Sequence, residues 1–166
     1  MIEQFRGDNF YLSNMYFLNN WITSEYGIRV PTSEHAYQSA KFINPLNHRQ
    51  VAEACAELED KRIFADGVAS KEMAHFLLRQ GAAIKTDWEV AKNGIMLAVV
   101  SQKFTNNPDI AKRLIDTNDE LIVEGNDWGD RYWGVDPVGS DNGENHLGQI
   151  LMEVRSNLQS IYGRSL

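Results

Sequence analysis

The sequence predicts a helix-rich α+β fold, a single domain over residues 1–166 that contains one small antiparallel sheet. Apolar residues recur every three or four positions over long stretches, which predicts helices, whereas the segments that favour strands are short. These strands do not alternate with helices, so a doubly wound parallel sheet is not expected. A composition of 43% hydrophobic and 23% charged residues is typical of a soluble globular chain of this length.

The first predicted elements are a β-hairpin and a helix. Strands at Trp21–Thr23 and Ile28–Val30 flank a turn that contains a glycine. Pro31 blocks a helix before it, and Thr32 or Ser33 can cap the helix that follows. This helix should end before the next proline in the chain, at position 45.

Five further helices complete the prediction, together with one short strand and a structured loop. They are predicted at Arg49–Leu58, Ser70–Gln80, Trp88 to about Phe104, Pro108–Ile115, and His146 or Leu147 to Ile161. The apolar stripe of the long helix comprises Val90, Ile95, Met96, Val99 and Val100, and the inward face of the last helix comprises Ile150, Leu151, Val154 and Leu158. Leu121–Val123 is predicted as a strand, and residues 125–143, with five glycines, as a structured loop.

The start of the first helix is unusually polar. Glu34 lies in its first turn, where the helix dipole favours a negative charge. Lys41 follows about two turns later, so both side chains can share one face. A solvated amphipathic helix is the alternative interpretation. His35 is more often a structural histidine than a functional one.

Composition excludes several classes of protein. Cys55 is the one cysteine, so neither an intrachain disulfide nor a cysteine metal cluster is possible, and the N-terminus lacks a signal-peptide pattern. No segment is apolar enough to span a membrane, and a cytoplasmic location is expected. The net charge of −7 argues against non-specific coating of nucleic acid, but it allows a local pocket for a phosphorylated small molecule or a nucleotide.

Two further segments carry polar and aromatic side chains: Thr86–Trp88, and a loop formed by residues 124–134 and 143–148. Aromatic faces stack on planar bases, and glycines allow a ligand to approach the backbone. The P-loop, nucleophile-elbow, zinc-helix and dinucleotide-binding motifs are all absent from the sequence. Neither a metal nor a cofactor is therefore predicted.

These segments resemble the NADAR, or YbiA-like, family. The resemblance spans residues 12–155 and rests on Leu12–Asn14, Thr32–Phe42, Asp87–Trp88 with Lys92 and Met96, Lys103–Phe104, Leu121–Glu124, Asp130–Gly134 and Gly143–Arg155. It implies a YbiA-like fold and an N-glycosidase, which cleaves a bond between ribose C1 and a nitrogen. The family substrates are phosphoribosylamino-pyrimidine intermediates of riboflavin synthesis, or ADP-ribose attached to guanine in nucleic acid.

The chain departs from the riboflavin branch at positions expected to contact phosphate. The loop Gly134–Gly143 is longer and more acidic than expected, the segment around Arg79 lacks a Gly-Arg pair, and Lys85 replaces a common arginine. These differences leave the cleavage reaction in place but leave the substrate open. The sequence does not define the oligomeric state.

Two mechanisms are compatible with this resemblance. Glu34 and Asp130 can act as a pair of carboxylates. Alternatively, Lys41 forms a Schiff base with C1 while Glu34 moves the protons, and this route is slightly favoured. A salt bridge is the structural alternative for Lys41.

The predicted substrate-binding residues are Asn14, His35, Trp88, Trp133 and Asn145. The tryptophans would stack on the base or form a wall of the pocket, and the asparagines would bind sugar or phosphate. A non-catalytic reader of ADP-ribose or a nucleotide is the alternative function. Such a reader would need neither Glu34 nor Lys41.

Overall fold

The structure, a computed structural model, describes residues 1–57, 59–62 and 64–163. These residues form a short 3-10 helix at Gly7–Leu12, strands β1 (Ile22–Thr23) and β2 (Arg29–Val30), and helices α1 (Ser33–Ala40), α2 (Pro45–Ala52), α3 (Ala65–Arg79), α4 (Trp88–Asn106), α5 (Pro108–Asp116) and α6 (His146–Tyr162). The predicted helix-rich α+β class with a small antiparallel sheet is therefore confirmed. No helix in the described part of the chain is both long and apolar enough to cross a membrane.

The chain divides into two compact units. The central unit comprises residues 14–106, and the terminal unit comprises residues 1–13 together with the chain from residue 107 onward. A single domain over residues 1–166 remains a prediction.

The predicted β-hairpin is present in the central unit. β1 and β2 are antiparallel, with Ile22 opposite Val30 and Thr23 opposite Arg29. Gly27 closes the turn with a φ of +79°, a backbone conformation that glycine adopts without strain. Each strand has only two residues, so the sheet is shorter than the segments that predicted it.

α1 is the most buried helix of the central unit. Every residue of Ser33–Ala40 is buried, and the helix packs against α2, α3 and α4. This burial excludes the solvated amphipathic helix that the sequence left open. A hydrophobic cluster of Phe42, Val51, Ala74 and Leu77 packs beside its end.

The boundaries of α2 and α3 differ from the prediction. α2 begins at Pro45, because the Asn44 side chain accepts a hydrogen bond from the Leu46 N–H at 2.8 Å and proline suits a first helical turn. The start predicted at Arg49 was therefore wrong. The predicted continuation beyond Ala52 was also wrong, because residues 53–57 are not helical, whereas the predicted last residue, Leu58, lies outside the described residues.

α3 begins at Ala65, before the predicted Ser70. It includes Gly67, a weak helix former that the pattern did not favour. The missing side chain has a structural use, because a Cβ at Gly67 would lie 2.6 Å from Met15 Sδ.

α4 confirms the predicted long helix, but one residue of its predicted apolar stripe is not buried. Met96 and Val100 are buried, whereas Val90 is 89% exposed. Each helical residue turns about 100°, so Val90 points away from the buried Trp88 two positions earlier. Its assignment to the apolar stripe was wrong.

The terminal unit contains α5 and α6, which pack against each other. The predicted inward residues of α6, namely Ile150, Leu151, Val154 and Leu158, are all buried. The strand predicted at Leu121–Val123 was wrong, because this segment forms only an isolated parallel bridge between Ile2 and Ile122. Residues 125–143 contain no helix or extended strand and are held by a bridge between Gly125 and Val135, as expected for a structured loop.

Candidate active site

The start of α1 is held by a network of polar contacts. Thr32 caps the helix, and its hydroxyl accepts a hydrogen bond from the His35 N–H at 3.1 Å. The Asn14 carbonyl accepts from the Glu34 N–H at 3.0 Å, and the Asn14 side chain accepts from the Ser33 hydroxyl at 2.9 Å. These contacts satisfy N–H groups that a helix start leaves without partners. They fix the position from which Glu34 extends.

His35 is locked in place by both ring nitrogens. Its Nε2 donates to the Ala54 carbonyl at 2.6 Å, and its Nδ1 lies 2.7 Å from the Thr32 hydroxyl. A carbonyl can only accept, so Nε2 carries the proton and Nδ1 accepts from the hydroxyl. Burial lowers the pKa of His35, and the ring is 0% exposed. A contact with substrate would require this ring to break an internal hydrogen bond.

Glu34 is a buried carboxylate, 7% exposed. Its Oε1 accepts a hydrogen bond from Gln38 Nε2 at 2.8 Å. The two side chains are one helical turn apart, the spacing at which side chains face each other on a helix. Gln38 therefore fixes the orientation of the carboxylate.

Lys41 lies directly after α1 and retains helical backbone angles, with φ of −62° and ψ of −30°. Its Nζ lies 5.4 Å from the centre of the Tyr37 ring and 6.0 Å from that of Trp88. Ring faces attract a cation, but they do not accept its protons as an oxygen would. The salt bridge considered as an alternative for Lys41 is absent from the described residues.

The surroundings of Lys41 lower the pKa of its amine. Burial lowers the pKa of Lys41 below its usual value of 10.5, and Glu34 opposes this effect. The neighbouring ammonium groups of Lys71 and Lys92 lower the pKa further, and Glu89 raises it. A lysine with a lowered pKa is a better nucleophile near neutral pH than an exposed lysine.

Trp88 forms a wall next to this amine. It is 5% exposed and packs at a tilt of 49° against Tyr37, with 5.3 Å between ring centres. So little of the indole is accessible that the arrangement favours a pocket wall over a stacking surface. Tyr37, which the sequence analysis did not select, completes the pair.

The loop of the terminal unit is organised around Asp130. One carboxylate oxygen accepts hydrogen bonds from the backbone N–H groups of Tyr132, at 3.1 Å, and Trp133, at 2.9 Å. This is an Asx-type turn, which orders a loop by a local side-chain contact. Trp133 is half-buried and meets the Tyr132 ring edge-on, with 5.0 Å between centres.

Asn145 connects the same loop to the start of α6. Its Oδ1 accepts from the Glu124 N–H at 2.9 Å, and its Nδ2 donates to the Ile122 carbonyl at 2.9 Å. Gly148 allows this close approach, because a Cβ there would lie 2.2 Å from the Ile122 oxygen. Both ends of the Asn145 amide therefore have internal partners.

The predicted site residues fall into two groups. The central unit contains Asn14, Glu34, His35, Lys41 and Trp88, and the terminal unit contains Asp130, Trp133 and Asn145. Within the central unit, α1 and α4 bring Glu34, Lys41 and Trp88 together. The roles assigned to all eight residues remain predictions. The sequence analysis did not select Gln38, although its spacing from Glu34 is a signal for a side-chain pair.

In the described part of the chain, no group of three or more histidine, cysteine, aspartate or glutamate side chains is arranged to hold a metal ion.

The model of the NADAR domain family matches residues 3–159. The chain belongs to the NADAR family. This assignment confirms the resemblance found in the sequence. The match includes both units and all eight predicted site residues.

Two relatives of this NADAR protein carry functional names. "N-glycosidase Npun_R5314" of Nostoc punctiforme is 32% identical over 130 residues, which are 78% of this chain and 75% of that protein. "Riboflavin biosynthesis protein PYRR, chloroplastic" of Zea mays is 30% identical over 132 residues, 77% of this chain but only 20% of the maize protein.

The NMR structure of Escherichia coli YbiA has a similar fold. It superposes with a TM-score of 0.72 at 24% identity, covering 97% of this chain and 88% of YbiA. The YbiA-like fold is therefore confirmed. YbiA, itself named an N-glycosidase, is 27% identical over 128 residues in the sequence comparison, 77% of this chain and 70% of YbiA.

The family match and these relatives confirm the predicted enzyme class, a hydrolase that acts on N-glycosyl compounds. An enzyme is favoured over the non-catalytic reader for the same reason.

Proposed function

We propose that this N-glycosidase hydrolyses the bond between ribose C1 and a nitrogen, with Lys41 as the nucleophile and Glu34 as the acid and base. One observation carries the proposal: a half-buried lysine with a lowered pKa lies beside the packed rings of Tyr37 and Trp88 and interacts with a buried glutamate of α1. Nucleophile and proton carrier are the two groups that an imine mechanism requires.

The reaction begins when the ribose ring opens and C1 becomes an imine with the departing nitrogen. The neutral Lys41 amine adds to C1, and a bond forms between C1 and Nζ. Glu34 transfers a proton from Nζ to the departing nitrogen, which leaves with the electron pair of its bond to C1. An iminium between C1 and Nζ remains.

Water then completes the hydrolysis. It adds to C1, Glu34 accepts its proton, and the bond between C1 and Nζ breaks to restore the lysine. One water is consumed, and a free sugar and a free amine are released. The burial of Glu34 and its interaction with Lys41 support this role.

The geometry supports the lysine route over the pair of carboxylates. An oxygen of Asp130 already accepts two backbone hydrogen bonds in its own turn, which gives this carboxylate a structural task. We assign Trp88 to the wall of the lysine pocket and the half-buried Trp133 to stacking on a base. The internal hydrogen bonds of Asn14 and His35 support the start of α1, and those of Asn145 support the start of α6.

The substrate we propose is a phosphorylated N-riboside. The maize relative, and one from Vibrio vulnificus that is 31% identical over 129 residues, are named riboflavin biosynthesis proteins, which supports a phosphoribosylamino-pyrimidine. ADP-ribose attached to guanine contains the same kind of bond. Lys85, at a position expected to contact phosphate, forms an ion pair with Glu25, so its charge is already compensated.

The test is incubation of the protein with both substrate types, followed by mass analysis of the products. We expect release of the free base or pyrimidine amine and a sugar product that has gained one water. Cleavage of only one substrate type would identify the branch of the family to which the protein belongs. Binding of either substrate without any cleavage would contradict the proposed reaction.

A further inference from the structure

Gln38 contains a buried oxygen without a partner. The side chain is 4% exposed, and its Oε1 has no hydrogen-bond partner among the described residues. Its Nε2 donates to Glu34 at 2.8 Å. Buried polar atoms are almost always hydrogen-bonded, so an exception beside a proposed catalytic group requires an explanation.

Rotation of the amide does not remove the problem. If the Gln38 amide turned over, its oxygen would face the Glu34 carboxylate, and two acceptors would meet. The N–H groups would then lose the charged partner that makes a strong hydrogen bond. The observed orientation is therefore fixed by Glu34, and the oxygen stays without a donor in the resting protein.

Lys41 is the donor that fits this oxygen. It lies three residues after Gln38 and keeps helical backbone angles, so the two side chains are neighbours on one face. Its amine also has no hydrogen-bond acceptor among the described residues and lies 5.4 Å and 6.0 Å from the centres of two aromatic rings. Among the described residues, the Lys41 amine is thus a donor without an acceptor. It lies one helical turn from the Gln38 oxygen, an acceptor without a donor.

We propose that Gln38 is a positioning residue that connects the nucleophile to the proton carrier. Its Nε2 holds the Glu34 carboxylate, and its Oε1 accepts a hydrogen bond from the Lys41 nitrogen during turnover, both before that nitrogen attacks C1 and once it is bonded to C1. The iminium retains one N–H, and the free acceptor of Gln38 matches it. This inference rests on the proposed lysine mechanism and adds a residue to it.

The inference also predicts how the pH dependence of Lys41 changes. The groups around its amine are Glu34 on α1, Lys71 and His75 on α3, and Lys92 and Glu89 on α4. The Gln38 oxygen would join them as a neutral acceptor, which favours the charged form of the lysine. Removal of this oxygen should therefore shift Lys41 reactivity to lower pH, and a carboxylate in its place should shift it to higher pH.

The experiment compares Gln38→Met and Gln38→Glu with the parent and with Gln80→Met, an exposed control beyond α3. Borohydride reduces an iminium to a stable amine, so the yield of trapped sugar is measured against pH along with kcat and KM. For Gln38→Met we expect kcat to fall by about tenfold, the contribution of one hydrogen bond, with little change in KM. The midpoint of its trapping curve should move down, and that of Gln38→Glu should move up.

Gln80→Met should behave as the parent. An unchanged trapping midpoint in Gln38→Met would overturn the inference while leaving the lysine mechanism intact. If Gln38→Met does not fold, an unchanged midpoint in Gln38→Glu is equally decisive, because a carboxylate at that oxygen cannot leave Lys41 unaffected. Absence of any trapped adduct in the parent would overturn both the proposed function and this inference.

Discussion

Glu34 combines a buried position with a defined hydrogen bond, which suits a group that exchanges protons. Gln38 holds one of its oxygens, and the Asn14 carbonyl accepts its backbone N–H. The side chain is therefore positioned by contacts that do not depend on its charge alone. A change that removes its proton chemistry but keeps its shape should separate catalysis from folding.

Glu34→Gln makes that change. General acid–base catalysis contributes typically ~10²–10⁴-fold, so kcat should fall by about this factor. The melting temperature should change little, because the new amide oxygen can still accept from Gln38. Glu72→Gln, on the exposed surface of α3, is the matched control. Parent-like turnover in Glu34→Gln would remove Glu34 from the mechanism.

At the scale of elements, α1 is a polar helix inside the protein, and two buried histidines secure its ends. His35 joins the helix start to the Ala54 carbonyl. His48 donates from Nδ1 to the Ser39 carbonyl near the helix end, at 2.8 Å. Burial lowers the pKa of each histidine below its usual 6.5, and the hydrogen bond to a carbonyl opposes this effect.

These histidines predict that stability decreases in mild acid. Below about pH 6.5 the unfolded chain binds protons that the folded His35 and His48 resist, so stability is present above that pH and is lost as the pH falls toward the folded-state pKa values. Urea unfolding at about pH 7.5 and about pH 5.5 measures the effect. His35→Gln and His48→Gln should each reduce the difference between the two pH values, and a parent that is equally stable at both would contradict this assignment.

α6 begins where the loop of the terminal unit approaches it closely. The N–H groups of His146 and Leu147 donate to the carbonyls of Tyr132 and Trp133, at 3.1 Å and 3.0 Å. The loop backbone thus caps the helix in place of a side chain. Within the first turn, Gly148 lies against the Ile122 carbonyl oxygen, where a Cβ would come within 2.2 Å.

Two glycine substitutions test whether position 148 requires a glycine. Gly148→Ala should lower the free energy of unfolding by about 1–3 kcal/mol, because its Cβ would overlap the Ile122 carbonyl oxygen. Gly94→Ala, inside α4, has nothing within 4 Å of the new carbon and should raise the free energy of unfolding by about 1 kcal/mol. Denaturant unfolding of both variants gives the comparison, and a neutral Gly148→Ala would show that the loop can move away.

At the scale of the whole molecule, the sequence predicted most of the helices because their apolar periodicity and caps are local signals. It missed the start of α2. Pro45 was used only to end the preceding helix, although a proline also suits the first turn of a new helix. It also placed a strand at Leu121–Val123, where only a single bridge to Ile2 forms, because pairing partners depend on the folded chain.

The candidate site was predicted less completely. The resemblance selected Glu34 and Lys41, and the structure gives both an environment suited to chemistry. The asparagines were expected to face a ligand, yet the side chains of Asn14 and Asn145 have internal partners. The free oxygen of Gln38 was invisible in the sequence, because only the fold determines which end of an amide finds a partner.

The central claim is that Lys41 forms a covalent bond with the sugar. Borohydride reduction during turnover, followed by digestion and mass mapping, should place the sugar on the peptide that contains Lys41. The trapped yield should rise with pH and level off below the usual lysine value of 10.5, since burial lowers the pKa of this amine. Lys41→Arg keeps the charge but should give no adduct and almost no turnover. A parent that turns over without an adduct, or a Lys41→Arg variant that retains most of its activity, would contradict the lysine mechanism and leave Glu34 with Asp130 as the alternative.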